Sequence, residues 1–317
     1  MSVYTELDQD TLTELCEEFG VTARSFTPIG DGVENSNWFV SSTRGEFVLT
    51  LFEERGLKEV RMLCNLLEAL DQMALPVALP LMHELDARCS VFDDKPLILS
   101  PRIEGTHPKV VTLDQCETMG AVLAKLHEHM AKLPATQYAL PAYPFHASLV
   151  AHLPHLPEDD AHALSELYKL LGAQRAKQEL PHGLTHSDLF VDNTLWQGDV
   201  LTGILDFTEV CIDELLSDFA ICANDFCTLW EDKVFDLDRY ARFLRGYQSV
   251  RPLERAELQH MQLYLAGAAS RFWLMRLDKR AEFAEKPAGE FVQIKSPDDM
   301  RWLTLHHLQQ VKTYQPL

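Results

Sequence analysis

The hydrophobic pattern of the sequence changes near residue 101, and this change constrains the fold more than any other feature. Before it, short strand-like runs alternate with turn signals around one amphipathic helical stripe at Leu57–Met73. Beyond it, the spacing typical of helices dominates, interrupted by a short β-rich island at Asp192–Phe207. We therefore expect an α+β fold of two lobes, with a small antiparallel sheet and a helix over residues 1–101 and a mainly helical lobe over residues 102–317. A cleft between two such lobes is a common position for a ligand.

Specific signals place the elements of the first lobe. Asp8 can cap a helix that ends at Gly20, and Thr43–Gly45 is a turn between two strand-like segments. The loop Gly30–Asn37 begins with Gly-Asp-Gly, which is a turn signal. The strands expected in this lobe are Ser25–Ile29, Trp38–Ser42, Glu46–Phe52 and two further runs near Leu81–Leu85 and Pro96–Pro101.

The second lobe begins with a strong helix signal. Thr112 and Gln115 form the sequence pattern of a capping box, and the helix that follows is expected to run to Lys132. A proline-rich connection spans Leu133–Pro144, and helical patterns then extend to about Glu179. After the β-rich island, helical patterns return and continue to the end of the chain.

Charge excludes several classes of partner. The 317-residue chain carries 28 Lys plus Arg and 48 Asp plus Glu, so its formal net charge is −20. Nucleic acids and anionic membrane surfaces attract basic proteins, so we expect neither as a partner. No apolar stretch reaches the length of about 18 residues that suggests a membrane-spanning helix. A polyanion such as ATP is still compatible with this charge, provided that a divalent metal and a local cradle screen the repulsion.

The cysteines and the first residues bear on the compartment. Seven cysteines are scattered along the chain, and no two of them form a CxxC pair. This pattern indicates reduced thiols rather than a disulfide framework or a zinc site. The first ten residues include Glu6, Asp8 and Asp10 and no basic residue, which is unlike a targeting peptide. We therefore expect a cytoplasmic protein, and either a monomer or a homodimer.

The segment with the clearest chemical content is His186–Asn193, together with the strand-like run that ends at Asp206. Asp188 and Asn193 are five residues apart, and Asp206 follows thirteen residues later. Two carboxylates and one amide around a short loop and a hairpin suit phosphoryl transfer, which depends on positioning and on neutralising charge. One carboxylate would face the acceptor hydroxyl, while the other carboxylate and the amide oxygen would hold Mg²⁺ against the phosphates of ATP.

The pattern HxDxxxxN, followed by a strand that ends in Asp-Phe, resembles the catalytic loop and the metal-binding Asp of the protein-kinase-like fold. Because no Arg stands between His186 and Asp188, the chain is more similar to the aminoglycoside phosphotransferase and choline kinase branch. Within that branch it resembles the homoserine kinase family. The stretches that carry this narrower resemblance are Gly32–Val40, Phe47–Glu53, Asp218–Cys227 and Arg271–Leu277. The resemblance covers nearly the whole chain and is weakest across Leu133–Glu179.

The resemblance implies a role for each matching position of the catalytic loop. Asp188 would accept or orient the proton of the acceptor hydroxyl. Asn193 and Asp206 would ligate Mg²⁺. Asp218 would brace the loop from the start of a helix, and His186 would be a structural hydrogen-bonding residue at the base of the loop.

The resemblance also implies a nucleotide site in the first lobe. The loop over the ATP triphosphate would contribute close backbone approach and polar contacts from Gly30, Gly32, Asn35, Ser36 and Asn37. The segment from Ser100 to Ile103 would meet the adenine through backbone hydrogen bonds.

The sequence says less about the residues that bind the acceptor than about those that bind the nucleotide. The adjacent Asn224 and Asp225 could face the acceptor or could cap a break in a helix. An amino-acid substrate needs a cation for its carboxylate, and a guanidinium group suits that geometry. Arg271 and Arg276 are candidates for this role, with an ordinary salt bridge as the alternative for each.

One position departs from the general kinase pattern. The third strand should end in a Lys that binds the α- and β-phosphates, and Thr50 occupies that place. The acid expected to pair with this Lys is Glu59, which then has no obvious partner. The homoserine kinases resemble this chain in lacking the Lys. Lys58 and Arg61 are nearby candidates for the missing charge, or the metal and the loop amides suffice.

The function that these observations favour is transfer of a phosphoryl group from ATP to the hydroxyl of L-homoserine, on the route to threonine. One alternative is another kinase of the same superfamily, acting on an aminoglycoside, choline or a sugar. A second alternative is a nucleotide-binding regulator without turnover, which the Thr50 substitution suggests. The intact set of Asp188, Asn193 and Asp206 argues against the second alternative.

Overall fold

A computed structural model describes residues 5–30, 35–83, 87–141, 145–284 and 295–313. The helices are α1 Gln9–Glu17, α2 Leu57–Gln72, α3 Leu113–Met130, α4 Phe145–His152, α5 Glu158–Arg175, α6 Leu215–Phe226, α7 Leu237–Val250, α8 Arg255–Ala284 and α9 Pro297–Thr313. The strands are β1 Ala23–Pro28, β2 Asn35–Ser42, β3 Gly45–Phe52, β4 Ser90–Phe92, β5 Lys95–Pro101, β6 His182–Thr185, β7 Thr194–Gln197, β8 Val200–Ile204, β9 Cys211–Glu214, β10 Thr228–Leu229 and β11 Val234–Phe235.

The described residues group into two units. The first contains those up to Gly105 together with Thr202–Leu205, and the second contains Thr106–Leu201 and the residues from Asp206 onward. Asp188, Asn193 and Asp206 all belong to the second unit. The lobe boundary between residues 101 and 102 stays a prediction.

The first unit is built on a five-stranded antiparallel sheet in the order β1-β2-β3-β5-β4. Alternate residues of β2 are buried, as expected of a strand with one face toward a core. That face packs with α1 around Trp38, Leu49 and Leu97, each at most 2% exposed. Asp8 caps α1 by accepting from the backbone nitrogen of Thr11 at 2.8 Å, as its position in the sequence predicts.

The edge of this sheet differs from the prediction. Instead of a strand at Leu81–Leu85, the described residues show one isolated bridge between His83 and Ala87, and Leu81 donates its backbone N–H to Leu99. Residues 84–86 lie outside the described part of the chain. The edge strand is Ser90–Phe92, which at three residues is too short to produce a readable alternation.

The second unit places α6 at its centre. Eleven of its twelve residues are buried, and it packs against the long helix α8. The predicted capping box of α3 is present: Thr112 accepts from the backbone nitrogen of Gln115 at 3.0 Å, and the Gln115 side chain accepts from the backbone nitrogen of Thr112 at 2.9 Å. The helices α3 and α7 pack closely at Gly120 and Gly246. A methyl group at Gly246 would lie 1.9 Å from the backbone oxygen of Glu117.

All seven cysteines are free and buried. Within the described residues, no helix combines the length and apolarity needed to cross a membrane.

Candidate active site

Two short connections in the second unit carry the predicted catalytic residues. The Asp188 loop, His186–Asn193, joins β6 to β7, and the Asp206 turn, Asp206–Val210, leads into β9. β6 and β9 pair antiparallel with Thr185 opposite Cys211, so the loop and the turn leave the ladder side by side.

Contacts continue beyond the last pair of this ladder. The hydroxyl of Ser187 lies 3.2 Å from the sulfur of Cys211, and the rings of His186 and Phe207 have centroids 4.6 Å apart. The sequence therefore brings Asp188 and Asp206 together through two strands of only four residues each.

Asn193, which the resemblance makes a ligand of Mg²⁺, is hydrogen-bonded to Asp188. Its amide nitrogen Nδ2 donates to the backbone oxygen of Asp188 at 2.7 Å and to the Asp188 carboxylate oxygen Oδ2 at 3.0 Å. The donor end of the amide is thus used inside the loop, which leaves its oxygen Oδ1 as the end suited to a cation.

The Asp206 turn has an unusual backbone that fixes its carboxylate. Asp206 adopts φ +54°, in the left-handed region that Asp tolerates better than most residues. Its oxygen Oδ1 accepts from both the hydroxyl of Thr208 at 2.5 Å and the backbone nitrogen of Thr208 at 3.3 Å. Because one oxygen anchors the turn, Oδ2 is the oxygen available for a ligand.

The electrostatics of the site favour a bound cation. Burial raises the pKa of Asp188 well above its usual range, and the neighbouring charges of Asp206, Asp192 and Glu209 raise it further, while Arg271 opposes them. A divalent ion would relieve this concentration of negative charge. Among the described residues no three His, Cys, Asp or Glu side chains converge as a metal cluster. Mg²⁺ can be held by one or two protein oxygens and several waters, so the donor set of Asn193 and Asp206 fits it.

Asp218 braces the start of the Asp188 loop, where the resemblance places it. Its two oxygens accept from the backbone nitrogens of His186 and Ser187, both at 2.8 Å. Ser187 has φ +68°, a conformation that costs of the order of 1–3 kcal/mol and persists only when neighbours enforce it. Asp218 supplies that enforcement. The His186 ring lies at the base of the loop, where Nδ1 is 3.4 Å from the backbone nitrogen of Asp188.

A buried network of hydrogen bonds, which the sequence did not predict, supports Asp218. His127 donates from Nε2 to Asp218 at 3.0 Å and accepts at Nδ1 from the hydroxyl of Tyr247 at 2.8 Å. Arg251 in turn donates to Tyr247 at 3.0 Å and pairs with the fully buried Glu257 at 3.0 Å. The available signal was the position of His127 on the apolar stripe of α3, where a histidine needs a partner.

The pair Asn224 and Asp225 has structural contacts in this unit. Asn224 donates to the backbone oxygen of Leu265 at 2.9 Å and accepts from His307 at 3.0 Å. Asp225 accepts from the backbone nitrogen of Val191, in the Asp188 loop, at 2.7 Å and from the Trp230 ring nitrogen at 3.1 Å. Both side chains are thus engaged by the protein, and Asp225 braces the far end of the loop.

The residues predicted to cover the triphosphate lie in the first unit, apart from Gly32, which lies outside the described residues. Gly30 is exposed and lies two residues after β1, while Asn35, Ser36 and Asn37 belong to β2. The Ser36 hydroxyl is fully buried and donates to the carboxylate of Glu53. The side chain of Ser36 is therefore engaged within the first unit.

Thr50, in the place of the expected Lys, uses its hydroxyl locally. It lies opposite Asn37 in the β2–β3 ladder and donates to the Asn37 amide oxygen at 2.7 Å. Glu59 has partners after all: it accepts from the backbone nitrogen of Gly56 at 2.9 Å at the start of α2, and Arg55 lies 3.9 Å away.

The predicted adenine segment also belongs to the first unit. Ser100 pairs with Val48 in the ladder of β5 and β3. Ile103 follows the strand and packs on Gly203, where an added methyl group would come within 3.0 Å of the Ile103 side chain.

Arg271 lies on α8 close to the Asp188 loop. Its guanidinium stands 3.5 Å from Glu209 and 5.6 Å from the ring of Phe272, which packs edge-on against Phe190 of the loop at 4.5 Å. Arg271 also forms part of the wall of a cavity of about 370 Å³ between α5, α6 and α8. Arg276 is partly buried, and it donates to the backbone oxygen of Ser296 at 2.9 Å.

Comparison with known proteins identifies the family of the chain. A model of the phosphotransferase enzyme family matches residues 25–253. The chain belongs to that family. It is 31% identical to a homoserine kinase of Methylobacterium radiotolerans over 96% of each chain. It is also 33% identical to a homoserine kinase of Pseudomonas aeruginosa, which covers 100% of this chain and 99% of that one. The resemblance read from the sequence is thereby confirmed.

Solved structures confirm the fold class. A microcompartment-associated aminopropanol kinase superposes with a TM-score of 0.72 at 17% identity and covers 97% of both chains. An amicoumacin kinase, solved with AMP-PNP and Ca²⁺, superposes with a TM-score of 0.70 at 15% identity over 98% of this chain and 95% of that one. The α+β kinase-like fold predicted from the sequence is therefore correct.

Proposed function

We propose that the protein is a homoserine kinase, which transfers the γ-phosphoryl group of ATP to the side-chain hydroxyl of L-homoserine. The observation that carries phosphoryl transfer is the Asn193 amide held on the Asp188 carboxylate, beside a second carboxylate at Asp206. The choice of acceptor rests on the full-length similarity to homoserine kinases. The product, O-phospho-L-homoserine, belongs to the route to threonine.

In this proposal Asp188 positions the acceptor. Its carboxylate accepts the hydrogen bond of the homoserine hydroxyl and aligns the oxygen for in-line attack on the γ-phosphorus. It takes up the proton as the new P–O bond forms and the bond from the γ-phosphorus to the leaving oxygen of ADP breaks. Burial, the largest cause of the raised pKa of Asp188, makes its carboxylate a better proton acceptor than an exposed one. The two hydrogen bonds from Asn193 keep the carboxylate in one orientation. Less conformational entropy is therefore lost when the transition state forms.

Oδ1 of Asn193 and Oδ2 of Asp206 would hold Mg²⁺. When bound, the ion supplies positive charge against the phosphates. The side chains that hold it are fixed beforehand, Asn193 by Asp188 and Asp206 by Thr208. This pre-organisation means that little rearrangement accompanies binding.

The nucleotide would contact the first unit mainly through backbone. Gly30 and Gly32 would let the chain approach the triphosphate, and Asn35, Ser36 and Asn37 would contribute further contacts. The segment from Ser100 to Ile103 would meet the adenine. ATP as the donor is supported by a structural neighbour solved with AMP-PNP and another solved with ADP. Because Thr50 carries no charge, loop amides and the ion would neutralise the phosphates.

Arg271 is the residue that we propose for the homoserine carboxylate, since it lies close enough to Asp188 for its charge to act on that group. Asn224 and Asp225 act in this proposal through structure rather than by touching the acceptor.

A cytoplasmic location is also part of the proposal, and the free state of all seven cysteines supports a reducing compartment.

The experiment that tests the proposed function compares ADP release by the purified protein with L-homoserine, kanamycin, choline and no acceptor. We expect kcat/KM for homoserine to exceed that for the other two by at least about 10²-fold. Preferred turnover of kanamycin or choline would assign the protein to another branch of the superfamily. Absence of turnover with every acceptor would favour a non-catalytic regulator.

A further inference from the structure

Glu209 and Arg271 form an ion pair beside the proposed catalytic carboxylate. The guanidinium nitrogen Nη2 lies 3.5 Å from the Glu209 oxygen Oε2, and the two side chains are only 10% and 17% exposed for Arg271 and Glu209. A charge-assisted hydrogen bond between such groups is normally about 2.7–2.9 Å long. The pair is therefore loose for its degree of burial.

The position of Glu209 follows from the topology of the site. Thr185 and Cys211 are the last pair of the β6–β9 ladder. Ser187 and Glu209 each lie two residues beyond that pair, on neighbouring segments of the chain. The Asp206 turn is fixed by the hydrogen bonds of Thr208 to Asp206, which also limits where Glu209 can lie. Glu209 thus stands next to the Asp188 loop for reasons of backbone geometry.

The position of Arg271 is fixed from the other side. Its neighbour Phe272 packs edge-on against Phe190, and this contact joins α8 to the Asp188 loop. The Arg271 side chain reaches Glu209 and also contributes to the wall of the cavity. The Arg271 cation from α8 and the Glu209 anion from the Asp206 turn therefore meet beside Asp188.

We propose that Glu209 and Arg271 together recognise the α-ammonium and α-carboxylate groups of the acceptor amino acid, an inference that rests on the proposed function. In the free protein the two side chains neutralise each other. When a zwitterion binds, its carboxylate takes the guanidinium and its ammonium takes the Glu209 carboxylate, so that each charge exchanges one partner for another. No buried charge is left unpaired at any stage, which avoids the cost of several kcal/mol that an isolated buried ion incurs.

This arrangement gives specificity for amino acids over simpler alcohols. 3-Aminopropan-1-ol is homoserine without the carboxylate, and its binding would separate Arg271 from Glu209 without replacing the lost anion. 4-Hydroxybutanoate is homoserine without the ammonium, and it would separate Arg271 from Glu209 without supplying a cation in exchange. A site built around polar groups rejects a substrate that lacks the matching group far more strongly than an apolar pocket rejects a missing methylene.

The test measures kcat/KM for L-homoserine, 3-aminopropan-1-ol and 4-hydroxybutanoate with four proteins: the natural sequence and the variants Glu209→Gln, Arg271→Lys and Arg175→Lys. The natural sequence should prefer homoserine to either analogue by at least about 10²-fold. Glu209→Gln should lower kcat/KM for homoserine by about 10²-fold and should not lower that for 4-hydroxybutanoate, because the variant loses the ammonium contact and no longer carries the carboxylate that this analogue fails to match.

Arg271→Lys retains the charge that pairs with Glu209, so this variant tests recognition with little risk to folding. It should lower kcat/KM about tenfold or more for the two acceptors that carry a carboxylate and spare 3-aminopropan-1-ol, since Lys lacks the guanidinium fork. Arg175 is the matched control, because it lines the same cavity but pairs with Asp213 at 3.0 Å. Arg175→Lys should leave the ratios among the three acceptors unchanged.

Two results would overturn the inference. If Glu209→Gln and Arg271→Lys lower kcat/KM equally for all three acceptors, the pair holds the fold and does not read the substrate. If the natural sequence phosphorylates homoserine no better than either analogue, the ends of the amino acid are not recognised here. Failure of the proposed function has a different signature: no turnover of homoserine alongside turnover of kanamycin or choline, and the inference then fails with it.

Discussion

Asp218 and Asp225 lie seven residues apart on α6, and their carboxylates accept backbone N–H groups from the two ends of the loop that carries Asp188. Seven residues are close to two helical turns, a rise of about 10 Å, so both side chains leave the same face of the helix. The loop between Ser187 and Val191 is therefore held at both ends by one rigid element. This relationship explains how a residue with a left-handed backbone at Ser187 keeps one conformation.

The two braces should differ in importance, because Asp218 holds two backbone groups of the strained end and Asp225 holds one of the other. We expect Asp218→Asn to lower kcat about 10²-fold, since small misplacements at a reacting centre cost this much, with a change in the KM for ATP of no more than about twofold. The free energy of unfolding should fall by about 3 kcal/mol because a buried charged hydrogen-bonding group is lost. Asp225→Asn should show the same pattern with smaller losses. Steady-state kinetics and urea denaturation of both variants measure this. A larger loss for Asp225→Asn would refute the ranking.

Substitution of the proposed proton acceptor separates chemistry from binding. Asp188→Asn should lower kcat about 10³-fold and leave the affinity for the ATP analogue AMP-PNP within about threefold. The reason is that the amide cannot take the proton of the attacking hydroxyl, whereas the proposed nucleotide contacts come from other residues. Single-turnover kinetics and calorimetric titration give the two numbers. A variant that retains close to full rate would show that Asp188 is not the acceptor of the proton.

Close contact of α3 and α7 gives a prediction about stability alone. A methyl group at Gly246 would lie 1.9 Å from the backbone oxygen of Glu117, so Gly246→Ala must push two helices apart and should lower the free energy of unfolding by about 3 kcal/mol. Gly172 on α5 is the control, because an added methyl group there meets nothing within 4 Å. Gly172→Ala should raise the free energy of unfolding by about 0.5–1 kcal/mol through helix propensity. Equal effects at the two positions in urea denaturation would contradict the packing described here.

His307 predicts a dependence of stability on pH. Burial lowers its pKa to about 3 from an ordinary value near 6.5, with a further contribution from the adjacent His306. The unfolded chain therefore binds a proton before the folded chain does, so stability is lost as the pH falls from about 6.5 toward 3. Between pH 7 and pH 5 the loss from this group alone should be about 2 kcal/mol. The neutral ring is well satisfied: it donates to Asn224 at 3.0 Å and accepts from Gln262 at 2.8 Å.

The measurement for His307 is the difference in unfolding free energy between pH 7 and pH 5 for the natural sequence and for His307→Asn. The variant should show a difference smaller by about 2 kcal/mol, because Asn does not titrate in this range. The same difference in both proteins would mean that His307 is protonated in the folded state at pH 5.

Local signals in the sequence predicted the parts of the fold that depend on neighbouring residues. The Asp8 cap and the capping box of Thr112 and Gln115 are present as expected, since each is complete within one helical turn. The pairing of β6 with β9 was not predicted. Four-residue strands give no alternation that can be read, and their partners are distant in sequence.

The same holds for the candidate site. Residues that belong to one sequence motif were predicted, whereas residues whose contacts depend on distant parts of the chain were not. The spacing of Asp188, Asn193 and Asp206 identified three side chains that the structure places in one unit, and their proposed roles stay predictions. The engagement of Asn224 by Leu265 and His307 depends on helices α8 and α9, which sequence alone does not position. The same holds for His127, whose partner Asp218 is 91 residues away.

Identification of the product is the sharpest test of phosphate transfer to the side-chain oxygen of homoserine. The purified protein is incubated with ATP, MgCl₂ and L-homoserine, and the mixture is followed by ³¹P NMR and mass spectrometry. We expect ADP and one phosphate monoester in equal amounts, with the ester phosphorus coupled to the two protons of the terminal CH₂ group. ADP with only inorganic phosphate, or no reaction of homoserine in a preparation that phosphorylates kanamycin or choline, would refute this transfer.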